Sequence, residues 1–388
     1  MTRRPRIVLD GLLVREQPTG VGHAVLELAS ALAAADRGYD FTVLASSPAM
    51  FATLADQPGW QVLDCPGARG GTLRKAWYTQ ARLPGRVRDV AGTLLHSLQF
   101  VAPLWLDRPS VVTVHDLAWR LFPGTVEEPR RSYYRLVVGP SLRRAAAIVT
   151  NSAATAQDVR RLYPDCAHKV SVTPFGLAAW ALRAAAGETA PAAPGRRGRP
   201  RFLFVGTLEP RKNLEGVLHA YTRFLAEAGR PPAECPSLLF VGARGWRDTR
   251  LRAAMQELQE AGHLDVRDYC QPEELWDLYR SARGLLFPSL HEGFGFPILE
   301  AMAAGLPVLT ADRGAMAEVA GDAALLVDPE DSGALAAGMR QLAWDEAGRQ
   351  RLVACGLQRV RQWTWERTAE TTCAVYTAVL GGGQSGNK

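Results

Sequence analysis

The ten residues from His291 to Glu300, read HEGFGFPILE, set two carboxylates eight positions apart, Glu292 and Glu300, around a turn that carries Gly293 and Gly295. Pro297 suits the first turn of a helix, where its missing N–H is one that no helical carbonyl would have paired, and residues 298–304 read as helix. Glu292 therefore falls in the loop and Glu300 in the first helical turns. A helix start presents unpaired N–H groups and a positive dipole end, and the two glycines let a ligand approach the backbone. That combination suits a ligand with hydroxyls and phosphates, because each carboxylate can accept two hydroxyl donors, as a sugar ring or a ribose diol presents them. Acids at a helix start are favoured for dipole reasons alone, which would account for one Glu. It does not account for Phe294 and Phe296 alternating with glycines, or for the apolar run Gly284-Leu285-Leu286-Phe287 feeding the turn.

Other stretches carry chemistry at comparable positions. Gly206-Thr207-Leu208-Glu209-Pro210-Arg211-Lys212-Asn213 follows the apolar run 201–205. Two adjacent cations at a strand end suit a diphosphate: Arg binds two oxygens at once and Lys adds a compact charge. His115-Asp116 ends the run Ser110–Val114, where a lone His is more often structural than catalytic. Gly20 and Gly22, in Thr19-Gly20-Val21-Gly22-His23, precede a helix, but Val25 stands where a dinucleotide fingerprint would place its third glycine. Asn151-Ser152 reads as turn and N-cap chemistry. The chain has no Asp-any-Asp triplet of the kind that holds a divalent metal on a diphosphate.

These residues need elements to hold them. Short apolar runs at 6–10, 41–44, 110–115 and 147–150 alternate with helical periods such as 21–35, and a second set follows at 201–205, 237–241, 285–287 and 307–310. Strand–helix alternation predicts parallel sheets covered on both faces. The expected fold class is α/β, with two doubly wound, Rossmann-like domains. The first spans 1–183, an Ala/Gly/Pro/Arg-rich linker 184–200, and the second 201–362. A helix over 363–380 and a disordered tail over 381–388 complete the chain. Ligands of such sheets bind at the carboxyl ends of strands, here facing a cleft between the halves.

Composition sets limits on class. A chain of 388 residues with 47% hydrophobic content can bury two cores. No window approaches the ~20 uninterrupted apolar residues of a spanning helix, and Met1–Pro5 leads into a strand rather than a signal peptide, so the expected location is cytoplasmic. The six cysteines form no CxxC pair and no cluster with His, which argues against disulfide and zinc frameworks. The net charge of +6 is concentrated in Arg82, Arg86, Arg88, Arg130-Arg131, Arg143-Arg144, Arg160-Arg161 and the stretch Arg196–Arg201. Solvated helix faces and a basic linker explain this clustering more simply than the alternative, peripheral contact with an anionic membrane. Nucleic acid has no aromatic-basic module to bind it.

The segment 291–300, continued by Ala301-Met302-Ala303-Ala304-Gly305-Leu306-Pro307-Val308, resembles the paired-glutamate motif of retaining, GT-B-fold glycosyltransferases of family 4. Gly206–Asn213 resembles their phosphate-binding element, and Trp363–Leu380 their C-terminal helix, which crosses back to the N-domain. The resemblance implies Glu292 on hydroxyls of the donor sugar, Glu300 on the ribose, and Arg211 and Lys212 on the leaving diphosphate. It implies a loop at Gly20 and Gly22 that closes over donor and acceptor, and His115 beside the donor sugar. Gly206, Thr207, Tyr269, Gly293, Phe294, Gly295, Phe296 and Leu299 would complete the donor site. Asp116 and Trp77, the latter ending a candidate acceptor loop over 67–77, would meet the acceptor. Tyr269 lies in the run 265–275, which matches the family's base-binding segment but is shorter and lacks its usual glycine.

The implied activity is transfer of a hexose from a nucleotide-diphosphate sugar to an acceptor hydroxyl with retention, in the usual proposal by a front-face reaction in which the leaving phosphate takes the acceptor proton. GDP-mannose is the first donor expected, with UDP- and dTDP-sugars behind it. The acceptor would be a glycan, a lipid-linked glycan or a small molecule. No metal is expected to be obligatory, since Arg211, Lys212 and helix dipoles can neutralise the diphosphate. Three rivals remain: a glycosidase, which would want two carboxylates but no cations beside them; a sugar-nucleotide 2-epimerase of the same fold; and a catalytically silent sugar-nucleotide-binding protein.

Overall fold

The structure is a computed structural model that describes residues 4–18, 20–125, 128–186, 199–243 and 249–382. The chain divides into two compact units, one formed by Met1–Gly176 with Thr364–Lys388 and the other by Leu177–Trp363.

The first unit is built on seven strands, all parallel. They are β1 (Arg6–Gly11), β2 (Asp40–Ala45), β3 (Trp60–Asp64), β4 (Leu94–Ser97), β5 (Ser110–Val114), β6 (Ala147–Thr150) and β7 (Val170–Val172). Their order in the sheet is β3-β2-β1-β4-β5-β6-β7. Every residue of β4, β5 and β6 is buried, as befits Val- and Leu-rich strands covered on both faces. The chain leaves β1 toward β2 but returns on the opposite side as β4. Loops at the carboxyl ends of these two strands therefore diverge, and a space opens between them.

One covering layer includes the helix Gly20–Ala33, which packs against the C-terminal helix Trp365–Gly382. The C-terminal helix is tied to the sheet by polar contacts as well as by packing. Tyr376, fully buried, places its hydroxyl 2.6 Å from Nδ1 of His96 on β4, and His96 Nε2 lies 2.8 Å from Thr113 Oγ1 on β5. Burial first, and then the neighbouring His115, lower the His96 pKa to about 3, so this ring is a neutral bridge. Thr368 Oγ1 donates to the Pro174 carbonyl. Gly176 lies so close to this helix that a Cβ there would meet the Trp365 nitrogen at 2.4 Å.

The second unit has six parallel strands: β8 (Arg201–Val205), β9 (Ser237–Val241), β10 (Leu264–Arg267), β11 (Gly284–Phe287), β12 (Val308–Ala311) and β13 (Leu325–Val327). They are ordered β10-β9-β8-β11-β12-β13, so the reversal falls between β8 and β11. Phe202, Phe204, Phe240 and Leu286 pack under the helices Leu214–Glu227 and Ser332–Trp344 in one core.

Every strand expected from the sequence is present, and the helix expected over 21–35 runs from Gly20 to Ala33. The expected boundaries differ in detail. The first unit closes at Gly176 rather than 183, because helix Ala179–Ala185 belongs to the second unit, where Trp180 meets Trp276 edge-on at 6.1 Å. The C-terminal helix continues through Gly381 and Gly382, where a tail was expected to begin. Residues 187–198, which contain most of the expected linker with Arg196 and Arg197, lie outside the described residues, as do Thr19, 244–248 and 383–388. Arg199 is a clamp rather than a linker charge, donating to the Cys235 and Gly262 carbonyls. Several other basic residues have local acidic partners, in Arg86–Asp89, Arg143–Asp165 and Arg161–Asp158, which favours solvated helix faces. Among the described residues no helix is long and apolar enough to cross a membrane.

Candidate functional site

In the second unit the switch point between β8 and β11 brings together Arg211, Lys212 and Glu292. The turn after β8 starts at Gly206, whose φ of +142° suits glycine, and passes beside Gly242 after β9. A Cβ on Gly242 would sit 2.1 Å from the Gly206 carbonyl oxygen, so the two backbones can approach only because residue 242 is glycine. The turn then tightens through the 3₁₀ segment Pro210–Lys212. Asn213 takes left-handed φ and ψ of 60° and 38° and donates to the Pro329 carbonyl, which launches the helix Leu214–Glu227. The Arg211 carbonyl accepts from the Leu290 N–H at 2.8 Å, joining this turn to the one that follows β11.

That join puts Glu292 between the two cations. Arg211 Nη1 lies 2.7 Å from Glu292 Oε2, and Lys212 Nζ 2.5 Å from Oε1. Lys212 and Glu292 are each 8% exposed, so the charges face one another largely out of water. Burial alone would raise the Glu292 pKa, but the attraction of Arg211 and Lys212 and their hydrogen bonds outweigh it and bring it down to about 2. Lys212 also rests 5.0 Å from the centre of the Phe287 ring. Arg211 Nε reaches Glu209 Oε1 at 2.7 Å, and Arg211 Nη1 donates to the His291 carbonyl at 3.1 Å. Glu209 was not among the expected site residues. Its signal was its place two positions before Arg211, on the far side of a proline.

Glu300 sits in a different environment. Its helix, Phe296–Ala303, starts from Gly295 at φ +117° with Pro297 in the first turn, as the sequence predicts. Glu300 Oε2 accepts the Tyr279 hydroxyl at 2.7 Å, and no cation offsets its burial. Burial raises its pKa to about 7, with the Tyr279 bond pulling the other way. The Tyr279 hydroxyl is itself pushed well above its ordinary range by burial and by Glu300, so it remains a donor. The two glutamates thus differ sharply: one is locked as an anion, the other titrates near neutrality. Tyr279 gave no signal in the sequence, since nothing in the spacing of 279 and 300 marks a pair brought together by helix packing.

The remaining expected donor residues divide by what they can offer. Phe294 is buried against Phe296 and Trp363, at 5.1 and 5.3 Å between ring centres, and Leu299 is fully buried. Their side chains are core, leaving the loop backbone around Gly293 and Gly295 for a ligand. Thr207 is exposed, and Tyr269 is 66% exposed.

In the first unit His115 ends β5, buried, with Nε2 2.9 Å from the Leu98 carbonyl. A carbonyl only accepts, so Nε2 carries the proton and Nδ1 is an acceptor. Nδ1 is buried and without a protein partner. Burial lowers the His115 pKa, which keeps the ring neutral. Asp116 Oδ1 accepts the Ala118 N–H at 3.0 Å, which fixes the turn after β5. Trp77 is exposed, with Arg82 stacked 5.5 Å from its ring. Gly22 is buried against Pro18, where a Cβ would come within 2.9 Å, and Gly20 is exposed at the helix start. Ser152 caps the helix Ala153–Leu162 by accepting the Thr155 N–H, the N-cap chemistry expected of it. Among the described residues no group of three or more His, Cys, Asp or Glu could hold a metal ion.

Two doubly wound parallel sheets of seven and six strands are the architecture of the GT-B fold class. Comparison with known proteins agrees. Residues 188–359 match the family described as Glycosyl transferases group 1, and residues 18–178 match Glycosyltransferase Family 4. The chain is 31% identical over 306 residues to the O-antigen chain mannosyltransferase B of Escherichia coli, covering 78% of this chain and 77% of that protein. It is 29% identical to the D-inositol 3-phosphate glycosyltransferase of Xylanimonas cellulosilytica, over 97% of each. Among solved structures it resembles sucrose-phosphate synthase from Thermosynechococcus elongatus, with TM-score 0.72, 21% identity and coverage of 98% and 100%. It also resembles WaaG, a glycosyltransferase involved in lipopolysaccharide biosynthesis, with TM-score 0.71, 17% identity and coverage of 96% and 99%. The chain belongs to the group 1, family 4 glycosyltransferases, and is a glycosyltransferase of mannosyltransferase-like sequence.

Proposed function

We propose that this enzyme moves a hexose, with GDP-mannose as the first donor to test, onto an acceptor hydroxyl with retention at the anomeric carbon. The observation that carries the reading is Glu292 bracketed by Arg211 and Lys212. The bracket holds two cations in fixed positions at a strand end, ready for the charge that develops on a departing diphosphate, so little reorganisation is needed as the bond breaks. Glu292 then has two tasks, orienting the cations and accepting hydroxyls of the sugar. Glu300 takes the ribose diol, and the loop backbone at Gly293 and Gly295 lies along the sugar. In the first unit His115 Nδ1 accepts a substrate hydroxyl.

The bond from the anomeric carbon to the diphosphate oxygen breaks, and a bond to the acceptor oxygen forms on the same face. The acceptor's proton passes to the departing phosphate. Glu292 is poorly suited to a covalent role, because both its oxygens are engaged by cations and its basicity is low. Likeness to the E. coli O-antigen mannosyltransferase favours a mannosyl donor. Structural likeness to the Anabaena protein solved with UDP and glucose, at 18% identity, keeps UDP-glucose as the second candidate.

The test is release of nucleoside diphosphate from a panel of GDP-, UDP- and dTDP-sugars, followed by thermal shift with the matching diphosphate. One donor should turn over, and Glu292→Gln should slow transfer by at least roughly a hundredfold, the scale set by loss of one preorganised polar group. If no nucleoside diphosphate raises the melting temperature, the reading fails.

A further inference from the structure

A cavity of about 300 Å³ opens in the first unit at the carboxyl ends of β1, β4 and β5, beside the switch point between β1 and β4. Three cations line it, and each comes from a different part of the chain. Arg15 follows β1, Lys75 lies on the helix Thr72–Trp77, and Arg130 starts the helix Arg130–Arg144. Among the described residues none of the three forms an ion pair, and Arg130 donates instead from Nε to the Tyr134 hydroxyl at 3.0 Å. Like charges around one hollow repel, and although Arg15 and Arg130 are exposed, Lys75 is half-buried, so a ligand anion is the natural counter-charge.

Asp10, the acid whose charge acts on Lys75, does not fill that role. Asp10 is fully buried at the end of β1, accepting Gln99 Nε2 at 2.8 Å and the Leu12 N–H at 3.1 Å. One carboxylate committed to neutral donors leaves the three cations in excess. Burial lowers the Lys75 pKa and Asp10 only partly restores it, while Arg15 and Arg130 lower it further. The rest of the lining mixes aliphatic residues such as Leu13, Val21 and Val101 with polar and aromatic ones. Phe100 and Tyr134 lie 5.4 Å apart between ring centres, and Phe100 stands edge-on to His115 at 5.9 Å. An apolar wall of this kind suits the C–H face of a sugar or cyclitol, and His115 is among the residues that line the cavity.

We infer that this cavity binds an acceptor bearing an anionic group, a phosphate or carboxylate, on a ring of single-sugar size, with Arg15, Lys75 and Arg130 recognising the charge. The inference rests on the transferase reading only for the word acceptor; the anion site itself is testable without a donor. Mannose 6-phosphate, glucuronate and their neutral parents are titrated against the full chain by calorimetry, with Lys75→Gln and Lys212→Gln as paired variants. The anionic sugars should bind at least roughly tenfold more tightly than the neutral ones, the scale of a charge-assisted hydrogen bond. Lys75→Gln should abolish that preference and Lys212→Gln should keep it. Equal binding of charged and neutral sugars overturns the inference, as does loss of the preference in Lys212→Gln alone, which would place the anion in the second unit.

With a working donor, the same pairs are compared as acceptors, and a polyprenyl-diphosphate-linked saccharide is added as the lipid-borne source of the same charge. Preference for the phosphorylated sugar or for the lipid-linked one identifies the source. A kcat/KM ratio near one between anionic and neutral acceptors overturns the acceptor role. Failure of every donor with the anion preference intact would instead sink the donor reading alone.

Discussion

Glu292 and Glu300 share a short segment and differ in every physical respect that matters to a ligand. Glu292 is an anion at any working pH, whereas Glu300, with a pKa near 7 and no cation beside it, is half protonated at neutrality before a ligand arrives. A carboxylate accepts both hydroxyls of a diol, and a carboxylic acid gives up part of that capacity. Affinity for the nucleoside diphosphate should therefore rise as pH increases through about 7, a trend that Glu300→Gln should flatten. The Tyr279 bond favours the ionised form, so Tyr279→Phe should move the rise to higher pH. Calorimetric Kd values across the range from acid to mildly alkaline pH would show it, and a flat profile in the unmodified enzyme would count against Glu300 as a ribose ligand. The sequence placed both carboxylates correctly, in loop and helix, because glycines and Pro297 mark that boundary. It could not reveal that Arg211 and Lys212 grip Glu292, nor that Tyr279 meets Glu300, since both depend on which side chains face each other after folding.

The switch-point turns depend on backbone clearance. Gly242, at φ +149°, has no room for a Cβ against the Gly206 carbonyl, and Gly206 in turn begins the turn that carries Arg211 and Lys212. Gly242→Ala should destabilise the second unit by on the order of 2–4 kcal/mol, combining a left-handed backbone cost with a steric clash. Diphosphate affinity should fall with it, because the Gly206 turn must shift. Urea unfolding and diphosphate titration of the same variant would show both. Unchanged affinity would mean that the cations are held independently of this contact.

Element by element, eight strands were legible as apolar runs, and five were not. β7 and β13 are three residues long, too short for a period to register. β4 contains His96 and Ser97, polar residues buried because a helix and neighbouring strands satisfy them. β3 is only partly buried, and β10 mixes charge with apolar residues.

The molecule is assembled from one contiguous unit and one that is interrupted. Residues 177–363 form the second unit without a break, while the first needs residues 364–382 to cover its sheet. Apolar alternation located both sheets, but the membership of the last helix came from family resemblance, since a helical period does not say which sheet it will cover. Its buried tie is Tyr376 to His96. Tyr376→Phe leaves one imidazole nitrogen of His96 without its partner and should cost about 1–3 kcal/mol. Diphosphate affinity in the second unit should be unchanged, so a weakened Kd in that variant would contradict the division.

The interrupted unit sets an order of events during synthesis. A ribosome delivers the first sheet before the contiguous unit and its covering helix after it. The second unit can close while the chain is still being extended, whereas the first must wait for Tyr376 to emerge before His96 gains its partner. Until then the helix Gly20–Ala33 also lacks the neighbour it packs against. Of the two units, the one begun first is therefore the one completed second.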